Sequence, residues 1–300
     1  MRYIVPDMAL RIAVLGAGGQ LGQALLRELR KGGHEVAALT HAALDVTQRL
    51  VVLDKVAKLR PEVIVNATAF GVDAAEDDPK TALAVNAFAV RTLADVAKTC
   101  GAALVHFSSD YVFDGTATSP YREADRPSPV NVYGATKLLG ELYAQGAPRW
   151  NVVRVESLFG IPGGKGTIDK MIAEARQGRT LTAFYDRKVS PAHVDDVAVA
   201  TRRLVEKKAA SGIWHCVNSG FTTWQEIALE IVRLLGSPSN VIPASIERSG
   251  LRATRPLFTA LSNEKLANAG VELPSWQTAL SRAVSAPSEG KPVSGVAPKA

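Results

Sequence analysis

The sequence predicts an α/β fold: a doubly wound parallel sheet with a second, smaller domain attached. Three observations carry this reading. Short apolar runs at residues 11–16, 34–39, 62–67 and 102–108 alternate with segments of helical periodicity. The run at 102–108 is nearly free of charge, and a strand apolar on both faces belongs in a parallel sheet covered by helices. The first run leads straight into glycines, at the carboxyl edge where open parallel sheets hold their ligands.

The elements follow in order. Residues 11–16 read as a strand and residues 21–29 as a helix, which Gly32 and Gly33 stop. A second strand covers 34–39, and Asp45, or Thr47 as N-cap, opens a helix reaching about residue 59. Pro61 introduces the strand 62–67. Residues 79–98 form a long helix, with Ala82, Val85, Ala89, Leu93 and Val96 on or near its buried side. After the strand 102–108, residues 110–132 are rich in Pro, Asp and Ser and weakly periodic. A loop of that length in a compact domain commonly serves a site. A helix over 133–144 and a strand over 151–156 come next. Residues 160–166 then hold four glycines and a proline, followed by helices over 168–177 and 196–205, the second returning to the sheet. The units at 212–218, 222–235 and 263–269 show no continuing βα rhythm, and there is no internal repeat.

Of the 300 residues, 47% are hydrophobic and 21% charged, an ordinary globular composition. Charge or glycine interrupts every apolar stretch before about eighteen residues, which predicts no membrane span. Residues 1–10 carry Arg2 and Asp7 and lack the apolar core of a secretory leader. Cys100 and Cys216 show neither disulfide nor metal-ligand spacing, so no metal ligands are assigned and a reducing compartment fits. The net charge of +6 suits an anionic ligand. Nucleic acid is not expected, because the basic residues are mostly single and mixed with Asp and Glu.

Gly16, Gly19 and Gly22 stand between the first strand and the first helix. Residues without Cβ let backbone amides approach a pyrophosphate, and the helix N-terminus adds unpaired N–H groups. This strand–turn–helix predicts a Rossmann dinucleotide site. Leu21 occupies the place where the stricter fingerprint has its third glycine. The second strand ends in Leu39-Thr40-His41 with no acid to repel a ribose 2′-phosphate. That permits NADP(H), with NAD(H) still open; His41 is readable either as a residue near the expected phosphate or as a solvated turn histidine, and Asp45 is placed to accept from an adenine amino group. The domain reading is then residues 1–156 for the dinucleotide, with 186–210 returning to them. Residues 157–185 and 211–286 form the substrate-binding domain, and residues 287–300 a mobile tail.

Tyr133 and Lys137 lie four apart, so a helix shows both on one face. Reducing a ketone needs a hydride from one side and a proton from the other. A nearby ammonium favours the phenolate and lowers the phenol's pKa from its ordinary value near 10. Ser109, at a strand end, is placed to bond the carbonyl and stabilise charge on its oxygen. Asn66 ends the third strand, where a small neutral side chain can line the cofactor, and Asn86 is a candidate to hold the loop geometry; either is also readable as a structural cap.

These residues resemble the extended short-chain dehydrogenase/reductases, and within them the dTDP-4-dehydrorhamnose reductase group. The resemblance rests on Gly16 to Gly22 with Gln20 and Leu21, on Leu44-Asp45-Val46-Thr47, and on Asn66-Ala67-Thr68-Ala69. It continues through Asp73 with Glu76, Asn86, residues 108–115 (Ser-Ser-Asp-Tyr-Val-Phe-Asp-Gly) and residues 129–141. Arg154, Ser190-Pro191, Arg255-Pro256 and Pro274 with Trp276 complete it. It covers roughly residues 11–284. It implies Ser109, Tyr133 and Lys137 as the catalytic trio. It also implies cofactor contacts from Gly16, Gly18, Gly19, Gln20, Leu21, His41, Asp45, Val46, Asn66, Ala67, Thr68 and Asn86, together with Tyr133 and Lys137. Substrate contacts are expected from Ser109, Asp110, Val112, Phe113 and Arg255, the last because a guanidinium fork matches a diphosphate. The implied reaction is NADPH-dependent reduction of the C4 ketone of a dTDP-linked 4-keto-6-deoxy sugar, giving dTDP-L-rhamnose. Members of the group are commonly cytoplasmic homodimers, some with Mg²⁺ at the dimer contact.

Two departures bear on the sugar. Ser157 stands where the group tends to carry a tryptophan, and Glu156 beside it is unexpectedly charged. His193 occupies a position that is often tyrosine, with packing as its plain explanation. A 4,6-dehydratase is disfavoured, since Tyr111 rather than a glutamate follows Asp110. A nucleotide-sugar 4-epimerase and a non-catalytic regulatory subunit of the same fold stay open.

Overall fold

A computed structural model describes residues 9–161 and 163–287. The expected tail at 287–300, except for its first residue, and the stretch read at 1–8 lie outside the described residues. The first half of the chain alternates strand and helix: β1 (Arg11–Leu15), α1 (Gln20–Lys31), β2 (Glu35–Leu39), α2 (Arg49–Lys58), β3 (Val63–Asn66), α3 (Val72–Asp77), α4 (Pro79–Leu83), α5 (Ala89–Cys100), β4 (Ala103–Ser109), α6 (Val132–Ala144) and β5 (Arg149–Val155). The second half runs β6 (Leu158–Phe159), α7 (Thr167–Arg176), β7 (Leu181–Phe184), β8 (Lys188–Val189), β9 (Ala192–His193), α8 (Val194–Glu206), β10 (Gly212–His215), β11 (Thr222–Thr223), α9 (Trp224–Leu235), β12 (Val241–Ala244), α10 (Glu264–Asn268) and α11 (Trp276–Ser285).

Six strands form one parallel sheet in the order β10-β5-β4-β3-β1-β2. All four residues of β3 are buried, the two-sided burial that its run of β-branched residues requires. One face is covered by α1 and α8 through Leu21, Leu25, Leu29, Val197 and Leu204. The other is covered by α2 and α5 through Val52, Val56, Val90 and Leu93. A third apolar core, around Phe159, Ile172, Leu181, Trp224, Ile231 and Leu280, gathers α7, α9 and α11 away from the sheet.

Four expectations are corrected. Residues 212–218 do not all belong outside the sheet, because β10 pairs with β5. The helix before it, α8, is thus the crossover of a βαβ unit, hidden in the sequence by a strand of only four residues. Neither Asp45 nor Thr47 caps α2; Asp45 Oδ1 accepts from the Thr47 amide and hydroxyl in a local turn, and α2 starts two residues after Thr47. The long helix at 79–98 is interrupted by a π-helical segment at Ala84–Phe88. The loop at 110–132 opens with a 3₁₀ turn, Asp110–Val112.

Candidate active site

The glycine turn lies at the carboxyl edge, where Leu15 is in register with Leu39 and Asn66. Gly16 has φ of +74°, and a Cβ there would press on the Ala67 carbonyl. A Cβ on Gly22 would collide with the Gly16 carbonyl, so α1 packs on the turn only without one. Helix α1 begins after Gly19 with no side-chain cap, which leaves its first N–H groups without intrahelical partners. Gly18 and Gly19 are exposed. An uncapped, positively polarised helix end behind exposed glycines fits a pyrophosphate. The Leu21 side chain is in the core, so only its backbone is available. The Gln20 amide donates to Asp169 Oδ2 at 2.9 Å, tying the turn to α7.

Around this turn, His41 is exposed, Val46 is buried, and Thr47 holds the Asp45 carboxyl below its ordinary range. Asn66 is fully buried, and its hydrogen bonds fit the structural-cap alternative. Its Oδ1 accepts from the Thr68 amide and hydroxyl, and its Nδ2 meets His106 Nδ1 at 3.2 Å. It shapes the Ala67–Thr68 backbone, which faces Gly16. Asn86, placed by the π-helical segment, accepts from the Phe70 amide at 2.8 Å and donates to Thr136 Oγ1 at 3.0 Å. Its amide is thus committed to the loop and to α6.

Asn131 caps α6, accepting from the Gly134 amide at 2.7 Å and donating to the Thr254 carbonyl at 2.8 Å. Gly134 packs on the Tyr111 carbonyl where a Cβ would not fit, which brings the first turn of α6 against the end of β4. There Lys137 Nζ donates to the Phe107 carbonyl at 2.6 Å, fully buried. Ser109, two residues further along the strand, lies close enough to the Tyr133 phenol to lower its pKa. The Tyr133 ring stands edge-on to Tyr111 at 5.6 Å. The three side chains therefore converge at one strand end.

Their electrostatics differ from expectation. Burial pushes the Tyr133 phenol up, the Asp110 carboxylate adds to this, and Ser109 opposes it. Burial pushes Lys137 down to about 8, with Glu141 opposing. The ammonium is given to a carbonyl rather than to the phenol, and desolvation outweighs the long-range attraction.

Beneath the trio lies a polar cluster only partly visible in sequence. Asp110, Glu156 and Arg187 are all buried. Ser109 Oγ donates to Asp110 Oδ1 at 2.7 Å, and Arg187 Nη2 lies 3.6 Å from Asp110 Oδ2. Glu156 accepts from Thr259 Oγ1 at 2.5 Å and from the Ser190 amide at 2.6 Å. The Arg187 and Arg255 guanidinium groups both lie over the Tyr111 ring, at 5.2 and 5.8 Å. Arg187 escaped the sequence reading because Asp186-Arg187-Lys188 looks like a solvated turn; its one visible signal is its closeness to Ser190-Pro191.

Of the expected substrate residues, Val112 and Phe113 are fully buried, Phe113 stacked on Tyr121 at 4.0 Å. The 3₁₀ turn aims them into the core, and they are corrected to packing residues. Arg255 donates to Asp73 Oδ2 at 2.6 Å and to the Ala253 carbonyl at 2.9 Å, so its guanidinium is held over Tyr111. Ser157 adopts a left-handed φ of +46° between Glu156 and β6. His193 is packed against Phe159 and accepts from the Asp195 amide, as its plain reading expected. Among the described residues no three or more His, Cys, Asp or Glu side chains gather to hold a metal ion, and no helix is long and apolar enough to cross a membrane.

Comparison with known proteins agrees with this geometry. Residues 10–288 match the family model described as RmlD substrate binding domain. A dTDP-4-dehydrorhamnose reductase of Streptomyces griseus is 36% identical over 296 residues, spanning 95% of this chain and 97% of the relative. The spore coat polysaccharide biosynthesis protein SpsK of Bacillus subtilis is 33% identical over 272 residues, 90% of this chain and 95% of the relative. The crystal structure of a Bacillus anthracis dTDP-4-dehydrorhamnose reductase in complex with NADP superposes with a TM-score of 0.87 at 32% identity, covering 92% and 98% of the two chains. A UDP-glucose 4-epimerase of Thermus thermophilus, at 20% identity and a TM-score of 0.79, shares the fold. With its glycine turn and its Ser109–Tyr133–Lys137 convergence, the chain belongs to the RmlD substrate binding domain family, within the short-chain dehydrogenase/reductase fold.

Proposed function

We propose that this chain is an NADPH-dependent reductase acting on the C4 ketone of a dTDP-linked 4-keto-6-deoxy sugar, of the dTDP-4-dehydrorhamnose reductase type. The observation that carries the reading is the meeting of Tyr133, Lys137 and Ser109 at the end of β4, on the same sheet edge as the uncapped glycine turn. When bound, the nicotinamide supplies the hydride. Tyr133 gives its phenolic proton to the ketone oxygen, and Ser109 donates to the same oxygen and fixes its angle. Lys137, buried with an ammonium available below about pH 8, supports the phenolate left behind and holds the cofactor ribose.

The absence of an acid at Leu39-Thr40-His41 favours NADPH over NADH. Arg255, already stacked over Tyr111, supplies the guanidinium fork for the diphosphate. Ser157 leaves the sugar pocket wider than an aromatic residue would. The reductase works in the cytoplasm as a homodimer, and residues 157–185 with most of 211–286 form the sugar-binding part. A panel of dTDP-4-keto-deoxy sugars offered with NADPH and with NADH tests this through cofactor absorbance and product stereochemistry. Stoichiometric NADPH oxidation with a 4-keto-6-deoxy sugar is expected. Conversion of a sugar with no net cofactor oxidation would make the protein an epimerase instead.

A further inference from the structure

His106 stands in the middle of β4, in register with Asn66 of β3, and is fully buried. Its Nδ1 lies 3.2 Å from Asn66 Nδ2, while its Nε2 is buried with no hydrogen-bond partner. Nε2 faces Gly140 of α6, where a Cβ would come within 3.1 Å of it. A buried polar atom left unpaired destabilises the fold, so packing alone would favour an apolar side chain here. The Thr68 contacts fix the direction of the bond between His106 and Asn66. Asn66 Oδ1 accepts from the Thr68 amide at 3.2 Å and from the Thr68 hydroxyl at 2.7 Å. A backbone N–H only donates, so the end of the Asn66 side chain beside it must be the oxygen. The end toward His106 is then the NH₂. His106 Nδ1 is therefore the acceptor, which leaves the ring proton on Nε2.

We propose that His106 is a positioning residue of the dinucleotide site: as the Nε2–H tautomer it accepts from Asn66 Nδ2 and so decides which way the Asn66 amide faces. With its oxygen turned toward Thr68, Asn66 holds the Ala67–Thr68 peptide in place. That peptide is what a Cβ at Gly16 would strike, the Ala67 carbonyl at 2.7 Å and the Thr68 nitrogen at 3.0 Å. The glycine turn therefore rests directly on the peptide that Asn66 orders. A ring with its proton on Nδ1 would set donor against donor, and the Asn66 amide would have to flip and turn its NH₂ on the Thr68 N–H. A second amide works beside the first: Asn86 donates to Thr136 of α6 and accepts from the Phe70 amide, two residues past Thr68. The segment backing the glycine turn thus meets the helix of Tyr133 and Lys137 twice, through Asn86 and through His106 on Gly140. Burial holds the imidazole well below its ordinary range, and Lys137, the charged group facing it from α6, adds to this. Asn66, Asn86 and Gly140 bring no charge to the ring. It stays neutral at working pH, and Asn66 alone selects the tautomer.

The role in cofactor binding rests on the dinucleotide reading of the glycine turn; the tautomer does not, and the two are measured apart. Nitrogen NMR of the labelled native protein without cofactor should show one imidazole, lost in His106→Gln, as the Nε2–H tautomer. Its protonation should not change between about pH 5 and 8, where an ordinary histidine titrates. Fluorescence titration with NADPH should give a Kd about tenfold higher in His106→Phe, which offers Asn66 no acceptor. His106→Gln, whose amide oxygen can take the place of Nδ1, should recover most of that loss. In turnover, the cofactor KM of His106→Phe should rise by more than kcat falls. A merely structural histidine would instead give losses that follow the urea midpoint of each variant, with no rescue by glutamine. A proton on Nδ1 in the native protein, or NADPH bound equally tightly by native and His106→Phe protein, would overturn the proposal. If His106→Phe does not fold, the native spectrum decides alone. Native protein that binds neither NADPH nor NADH, with the Nε2–H signal present, would remove the dinucleotide reading and leave the amide orientation standing.

Discussion

The two edges of the same sheet are built on opposite terms. At the carboxyl edge, Lys137, Asp110, Glu156 and Arg187 are all buried: Lys137 and Glu156 bond backbone, Asp110 accepts from Ser109, and Arg187 pairs with Asp110. At the amino edge, a cavity of about 570 Å³ is lined by the starts of β1, β3, β4 and β5, and its cations Arg11, Arg60, Arg149 and Lys208 are exposed. That open cavity is the chemically quieter place. Exposed cations are screened and separately solvated, whereas buried groups have shifted proton affinities and fixed directions, the condition for acid–base chemistry. Convergence of desolvated polar atoms marks the site here, and open volume does not.

Substitutions at the two edges should differ in size accordingly. The largest effect is expected for Tyr133→Phe at the carboxyl edge. Turnover should drop about 10³-fold, or ~4 kcal/mol of barrier, while cofactor affinity measured by fluorescence titration is retained. Turnover within tenfold of native would remove the phenol from the proton-donor role. Next comes Glu141→Gln, which leaves Arg154 buried without its bidentate carboxylate partner, now at 2.9 and 2.8 Å. Urea unfolding should show a loss of about 3 kcal/mol.

Lys137 gives a pH-dependent effect of about 3 kcal/mol. Its folded value of about 8 lies below its ordinary 10.5, so between these the unfolded chain binds more protons. Stability of the cofactor-free protein should therefore rise with pH across that window, and Lys137→Met should lose that component of the slope. Gly134→Ala should cost about 2 kcal/mol by forcing α6 off the Tyr111 carbonyl, with turnover falling in samples still folded by circular dichroism. The smallest effect belongs to the amino edge. Arg149→Ala should change stability by under about 0.5 kcal/mol and leave turnover at its native value; a large loss there would erase the contrast.

The sequence made the parallel sheet legible because β1, β3 and β4 are buried on both faces and so carry uninterrupted apolar runs. It also exposed the glycine turn and the Tyr133–Lys137 spacing, which are local. The short strand β10 and the π-helical segment at Ala84–Phe88 carry no periodic signal of their own, since partners far along the chain decide them. The acid cluster was hidden for the same reason. Glu156 meets Ser190 and Thr259 across 34 and 103 residues, and one line of residues does not show that a charge at a strand end will be buried. Phe113 turned out to be a packing residue because a motif records position in the chain but not which way a side chain faces.

The amide of Gln20 reaches from the first residue of α1 to Asp169 in α7, and Asp169 in turn accepts from the Gly160 amide. The glycine turn and the helix of the third core are thus fastened by one side chain. A rigid tilt of either must carry the other along or give up a hydrogen bond worth about 1 kcal/mol.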